Sequence, residues 1–178
     1  MRLIQADPEQ RELASLWLFS PPDDKPLSDL DRRLLATLPE EFRTTGPFPD
    51  RSYEQAEYLL DPADYRKVNS WPERERSLPY RIIQGDRRFA DHEDLEAPWR
   101  CSTTSFLAEA AATIDALDVA AVRQEFSVVE MRNLGVYKVH EIEPDDEVFD
   151  RVLDRLRLLA HYYHQLVALD LDLIIATV

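Results

Sequence analysis

The sequence predicts one helix-rich globular domain of mixed helix and strand, and three observations carry that expectation. The chain has 178 residues, a length that suits a single domain with at most a small appended part. Hydrophobic residues make up 44% of it, including three Trp, seven Tyr and seven Phe, which is enough to fill a core and argues against disorder. The last third alternates helix caps with helical apolar spacing, then closes on an almost wholly apolar run at 171–178 that reads as a buried strand.

Taken in order, Asp7-Pro8-Glu9-Gln10 reads as a helix start, with Asp at the cap, Pro in the first turn and Gln three residues on. That helix is expected to reach about Phe19, with Leu13, Leu16 and Trp17 facing inward. Prolines and acids at 20–26 force a loop, after which a Ser28 cap opens a helix burying Leu30, Leu34, Leu35 and Leu38. Pro47, Pro49, Pro62, Pro72, Pro79 and Pro98 then restrict the chain up to Arg100 to short helices and ordered loops. The best helices there are 52–60 and 61–68, the second with Asp61 at its cap and Pro62 next.

Beyond Arg100 the pattern is more regular. Residues 102–105 offer several caps for an alanine-rich helix through Leu117. Asp118 caps a short helix carrying Val119, Val122 and Phe126, and Ser127-Val128-Val129-Glu130 is a capping box for another that ends at Gly135. Residues 136–142 look extended. Asp145 and Asp146 start the longest helix, where Phe149, Val152, Leu156, Leu159, Tyr163 and Leu166 form one apolar seam, with acids early and arginines later to suit the helix dipole.

Composition excludes several chemistries. The glycines are Gly46, Gly85 and Gly135, too few and too scattered for a phosphate-cradling loop or a dinucleotide fingerprint. No Gly-x-Ser-x-Gly elbow occurs. Cys101 stands alone, so neither an internal disulfide nor a zinc site with two thiolates can form; it reads as a small buried hydrophobe in a reducing cytoplasm. Of His92, His140, His161 and His164, the last two are three apart and could share a helix face, but polar-face histidines are the plainer reading. The acidic run at 141–147 lacks the glycine and spacing of a calcium loop. No metal site and no cofactor is assigned.

Thirty-five acids against 21 bases give a net charge of −14, which repels nucleic acid and anionic membranes. No apolar run reaches the roughly 18 residues of a membrane span, and the first residues lack a secretory signal. Arg74, Arg76, Arg81, Arg87, Arg88 and Arg100 are the one basic concentration, and acids interleave them. The excess charge either keeps the protein soluble or presents an acidic face to a basic partner.

Aromatics gather in the proline-rich middle: Tyr53, Tyr58, Tyr65, Trp71, Tyr80, Phe89 and Trp99. They either pin irregular segments or line a pocket or protein-binding surface. The candidate binding residues are Tyr58, Trp71, Tyr80 and Trp99, with Tyr137 from the later segment. For an enzyme or small-ligand pocket, Arg81, His92, Arg100 and Ser102 are the polar candidates beside Tyr137, and no catalytic residue is assigned.

Several segments occur in a telling order: residues 53–60, 78–85, 111–117 (AATIDAL) and 122–127 (VRQEFS), then Met131 with Gly135-Val136-Tyr137, then the long helix and the apolar end. In this the chain resembles the YfbM-like family, a bacterial group classed as a domain of unknown function. The resemblance covers residues 53–178 of a single domain spanning 1–178, and residues 1–50 diverge. The family usually has Pro where Lys138 stands and Gly where Asp170 stands, departures that bear on turn geometry. The resemblance implies a compact α+β domain, helix-rich with a small sheet that includes the C-terminal strand, in a bacterial cytoplasm. It implies no activity and no catalytic residues.

Three functions are compatible with these features. The first is a non-catalytic acidic cytosolic binding protein, such as an immunity-type inhibitor of a basic toxin or nuclease, binding neither nucleic acid nor membrane. The alternative is an enzyme or small-ligand-binding protein with a pocket in the aromatic-rich 53–100 region. A nucleic-acid mimic would differ from the first in carrying regular rows of carboxylates.

Overall fold

The computed structural model describes residues 13–17, 48, 51–67, 70–90, 99–139 and 143–176. In chain order these form β1 (Leu13–Trp17), α1 (Tyr53–Leu60), α2 (Pro62–Lys67), α3 (Trp71–Arg74), α4 (Leu78–Gln84), β2 (Arg87–Ala90) and β3 (Trp99–Ser102). Helices α5 (Thr104–Asp115), α6 (Val119–Glu125), α7 (Val128–Asn133) and α8 (Asp145–Ala168) follow, and β4 (Asp172–Ala176) comes last. The fold is α+β, helix-rich, with a small sheet.

Four helix starts are set by the caps expected of them, at Asp61, Thr103, Asp118 and Ser127, and α4 adds a fifth cap at Ser77. Asp61 accepts the Asp64 amide (2.8 Å) at the start of α2, and Asp118 accepts the Ala121 amide (3.0 Å) at the start of α6. Thr103 caps α5 through the Phe106 amide, and Ser77 caps α4 through the Tyr80 amide. At α7 only half of the expected capping box forms. Ser127 accepts the Glu130 amide (3.2 Å), but the Glu130 carboxylate turns to the Tyr58 hydroxyl (2.5 Å) and to Arg66 (2.7 Å), partners whose attraction exceeds that of a backbone amide. Gly135, at φ +73°, closes α7 with the two reverse hydrogen bonds of a left-handed cap.

Helix α8 spans 24 residues and buries Val148, Phe149, Val152, Leu153, Leu156, Leu159, Ala160, Tyr162, Tyr163 and Leu166, a broader stripe than the expected seam. Asp145, Asp146 and Glu147 occupy its first turn, whereas its arginines sit mid-helix and the last turn carries none, so the dipole is complemented at one end only. It packs chiefly on α5 and also on α1, sharing one apolar cluster with Phe48, Leu59, Ile82, Leu107, Met131, Leu173 and Ile175. Inside that cluster the Tyr163 hydroxyl donates to the Ile82 carbonyl (2.7 Å), one of the carbonyls that the end of α4 leaves without a helical partner.

The sheet runs β1-β4-β3-β2. β2 and β3 are antiparallel, β3 and β4 are antiparallel, and β1 lies parallel to β4 from Leu13 opposite Asp172 to Trp17 opposite Ala176. Three expectations are corrected here. Leu13–Trp17 is a strand and not part of a helix; so short a mostly apolar segment fits either period, and pairing with β4 decides it. Residues 87–90 and 99–102 form strands in a stretch expected to hold short helices and loops. The expected extended segment begins with a turn at Tyr137 and Lys138. Lys138 adopts φ +63°, which a proline ring forbids, and Asp170 adopts φ +51°, the left-handed conformation that a glycine takes readily. The second expected helix, after Ser28, lies outside the described residues.

Gly85 joins α4 to β2 at φ +103°, and a Cβ there would approach the Arg100 Cβ to 2.8 Å. Gly85→Ala is therefore expected to destabilise the protein by more than about 1 kcal/mol. Tyr163→Phe, which leaves the Ile82 carbonyl buried and unmatched, is expected to lose about 1–3 kcal/mol. Urea denaturation of each variant beside the parent protein measures both.

Candidate functional site

Helix α1 buries five consecutive residues, Gln55, Ala56, Glu57, Tyr58 and Leu59, and one of them is charged. Glu57 is 1% exposed. Its Oε2 accepts Nε (2.9 Å) and Nη2 (2.7 Å) of Arg74, and its Oε1 accepts the Gln84 side-chain amide (3.1 Å). Burial pushes its pKa up to about 7, against the opposing pull of Arg74 and Gln84. Arg74 also reaches Glu54 (3.0 Å). Burial disfavours its charge, but Glu57 and Glu54 outweigh that cost and hold it firmly protonated.

Aromatic rings surround this guanidinium. Its carbon lies 5.4 Å from the ring centres of both Tyr65 and Trp71, and 5.9 Å from that of Tyr80. Glu54 extends the network by accepting the Tyr65 hydroxyl (3.2 Å) and the Tyr137 amide (2.9 Å). Beside it opens a cavity of about 240 Å³, lined by charged and aromatic side chains (Glu57, Asp64, Tyr65, Trp71, Arg74), by Ser70 and Ser77, and by Pro79, Leu134 and Gly135. Trp71 is 56% exposed and Leu134 40%. The Asp64 carboxylate makes no ion pair among the described residues.

The five candidate binding residues separate. Trp71 lines the cavity. Tyr80 is buried behind Trp71, edge-on at 5.9 Å, and Tyr58 is wholly buried against Tyr65 and Phe126. Burial and Glu130 hold the Tyr58 phenol protonated well above its usual range. Tyr137 stacks obliquely on Tyr53 and touches the network through its backbone. The Trp99 side chain lies outside the described residues.

The polar candidates form a different cluster. Arg100, 5% exposed, donates to the Gly85 (2.9 Å) and Asp86 (3.3 Å) carbonyls, Ser102 accepts the Asp86 amide (3.1 Å), and Arg81 pairs with Asp86 (2.5 Å). These bonds clasp the turn between α4 and β2. His92 and His140 lie outside the described residues. His164 pairs with Asp115 (2.7 Å) and His161 with Gln165 (3.1 Å), so the two histidines serve separate partners. Cys101 is buried. Among the described residues no group of three or more His, Cys, Asp or Glu could hold a metal, and no helix is long and apolar enough to cross a membrane.

The sequence reading missed Glu57 and Arg74. Burial of Glu57 is a tertiary property, and the sequence offered only a glutamate beside the apolar neighbours Ala56, Tyr58 and Leu59.

Fold and cavity together define a helix-rich α+β domain with a small polar, aromatic-edged recess. The chain belongs to the family described as Domain of unknown function (DUF1877), which matches residues 43–176. Its fold is similar to that of a protein of unknown function, YfbM from Escherichia coli, with a TM-score of 0.54 at 12% identity over 68% of this chain and 73% of that one. At that identity the likeness concerns the fold alone. Comparison with curated proteins gives no match.

The raised Glu57 pKa has a consequence for stability. Between about 4.5, the ordinary value, and about 7, the native protein keeps a proton that the unfolded chain has lost. Stability from this group is therefore fully present below about 4.5 and is lost as pH rises towards 7. Glu130 acts oppositely: Arg66 and Tyr58 hold it down to about 2, so its contribution is lost as pH falls from 4.5 towards that value. Glu57→Gln is expected to be less stable overall and to show a flatter decline between about pH 5 and about pH 7, read from urea denaturation across that range.

Proposed function

We propose that this is a non-catalytic acidic binding protein of the bacterial cytoplasm that recognises a basic protein, in the manner of an immunity-type inhibitor of a toxin or nuclease. The observation that carries the reading is the meeting, at one cavity mouth, of the exposed apolar side chains Trp71 and Leu134 with the Asp64 carboxylate, which has no ion-pair partner among the described residues, on a chain of net charge −14. Tryptophan is among the residues enriched in protein-binding hot spots. Glu57 has a pKa suited to proton transfer, yet both its oxygens are held and it is 1% exposed. A general base must reach the proton it removes, and both oxygens of this one are engaged by Arg74 and Gln84. That weighs against turnover.

The cavity itself favours a second reading, small-ligand binding by the 53–100 region, since eight of its ten lining residues fall there. Its roughly 240 Å³ falls short of the 300–1,000 Å³ typical of drug-sized ligand sites, which supports a side chain or fragment over a nucleotide-type cofactor.

Affinity capture from a native bacterial lysate, followed by on-rate measurement with the purified captured protein, separates the two readings. A basic partner is expected, with an association rate falling about tenfold or more as salt rises from about 0.05 to about 0.5 M. An association rate indifferent to salt would count against the proposal, as would capture of no basic protein.

A further inference from the structure

We infer that the cavity beside α3 is the docking point for a single arginine side chain of the basic partner, with Asp64 pairing its charge and Trp71 receiving its planar face. The inference rests on the proposed function and adds the place and the chemistry of recognition. Charge decides the sign of the occupant. Among the ionisable cavity residues, Arg74 already answers Glu57 at 2.7 Å and Glu54 at 3.0 Å, while Asp64 answers nothing among the described residues. The recess therefore carries surplus negative charge on a chain of net charge −14, which attracts a cation.

Surface chemistry narrows the cation. An indole that is 56% exposed and half-buried Tyr65 offer aromatic surface, and Ser70 and Ser77 add hydroxyl oxygens. A guanidinium stacks on aromatic faces and donates five hydrogen bonds in one plane, so it can meet the ring, the carboxylate and the hydroxyls together. The same protein already uses this chemistry internally, where Arg74 lies among Tyr65, Trp71 and Tyr80. Size agrees: about 240 Å³ accommodates one long side chain, and Leu134 at the rim meets its methylene stem.

The test is an NMR titration of the full chain with two small probes, N-acetyl-arginine-amide and the uncharged N-acetyl-citrulline-amide. The arginine probe is expected to shift the Trp71 indole N–H and the Gly135 amide saturably, and citrulline to shift them little. Asp64→Asn is expected to weaken arginine binding roughly three- to fivefold, and Trp71→Ala by a similar factor or more. Asp154→Asn, which removes an exposed α8 carboxylate far along the chain, should leave it unchanged. Trp71 is 56% exposed and Asp64 partly exposed, and a native circular-dichroism spectrum confirms that each variant folds before binding is read. Equal binding of the two probes, or equal weakening by Asp154→Asn and Asp64→Asn, would overturn the inference. Tighter binding of free arginine than of the capped form would also overturn it, by making a free metabolite the occupant. A captured partner that binds Asp64→Asn and Trp71→Ala as tightly as the parent, still with salt-dependent association, would overturn the docking point and leave the proposed function standing.

Discussion

The buried ion pair between Glu57 and Arg74 is the constraint on which the proline-rich middle of the chain depends. Charges removed from water cost several kcal/mol each, and attraction repays this only when the remaining donors and acceptors are matched. Here they are closely matched: Gln84 takes the second carboxylate oxygen, and Glu54 takes another edge of the guanidinium. Because these residues come from α1, α3 and α4, satisfying one buried carboxylate fixes three short helices relative to one another. Glu54 carries the constraint onward to Tyr65 of α2 and to the backbone of the Tyr137 turn.

Short helices need such external support. α2 has six residues and α3 four, lengths at which a helix gains too few backbone bonds to offset its nucleation cost. What holds them is side-chain chemistry: Arg66 on Glu130, Trp71 on Glu75 (2.9 Å), and the ring of aromatics about Arg74. The clasp of Arg100 and Asp86 about Gly85 does the same for the passage from α4 into the sheet. The cleft is thereby walled by groups locked through their polar atoms, while Trp71, Leu134 and Asp64 retain free surface at its edge.

What could be read from the sequence was local. Asp61, Asp118 and Ser127 announced their helices because a cap is a hydrogen bond across three residues, and the α8 seam was legible because its period persists for 24 residues. β2 and β3 escaped because four-residue strands such as Arg87-Arg88-Phe89-Ala90 carry no alternation; they exist through pairing with distant chain. Leu13, Leu16 and Trp17 fitted a helical face as well as a strand, and the partner that settles the matter lies about 160 residues away. At the site, aromatic density pointed to the correct region and to Trp71. It could not tell that residue from Tyr58 and Tyr80, because which ring faces water is a tertiary property. The Glu57–Arg74 pairing was invisible for the same reason.

The parallel strand at the chain's beginning lies outside the residues that the family match spans, yet it borders the most apolar strand of the sheet. β4 bonds to β3 along one flank and to β1 along the other. Without β1, the second flank of Leu173, Ile174 and Ile175 would present bare amides and carbonyls in a row, an open template onto which any extended chain could zip. The first segment therefore acts as a selvedge: it takes the outer margin of the sheet onto Leu13–Trp17 and leaves the apolar β4 bonded along both flanks.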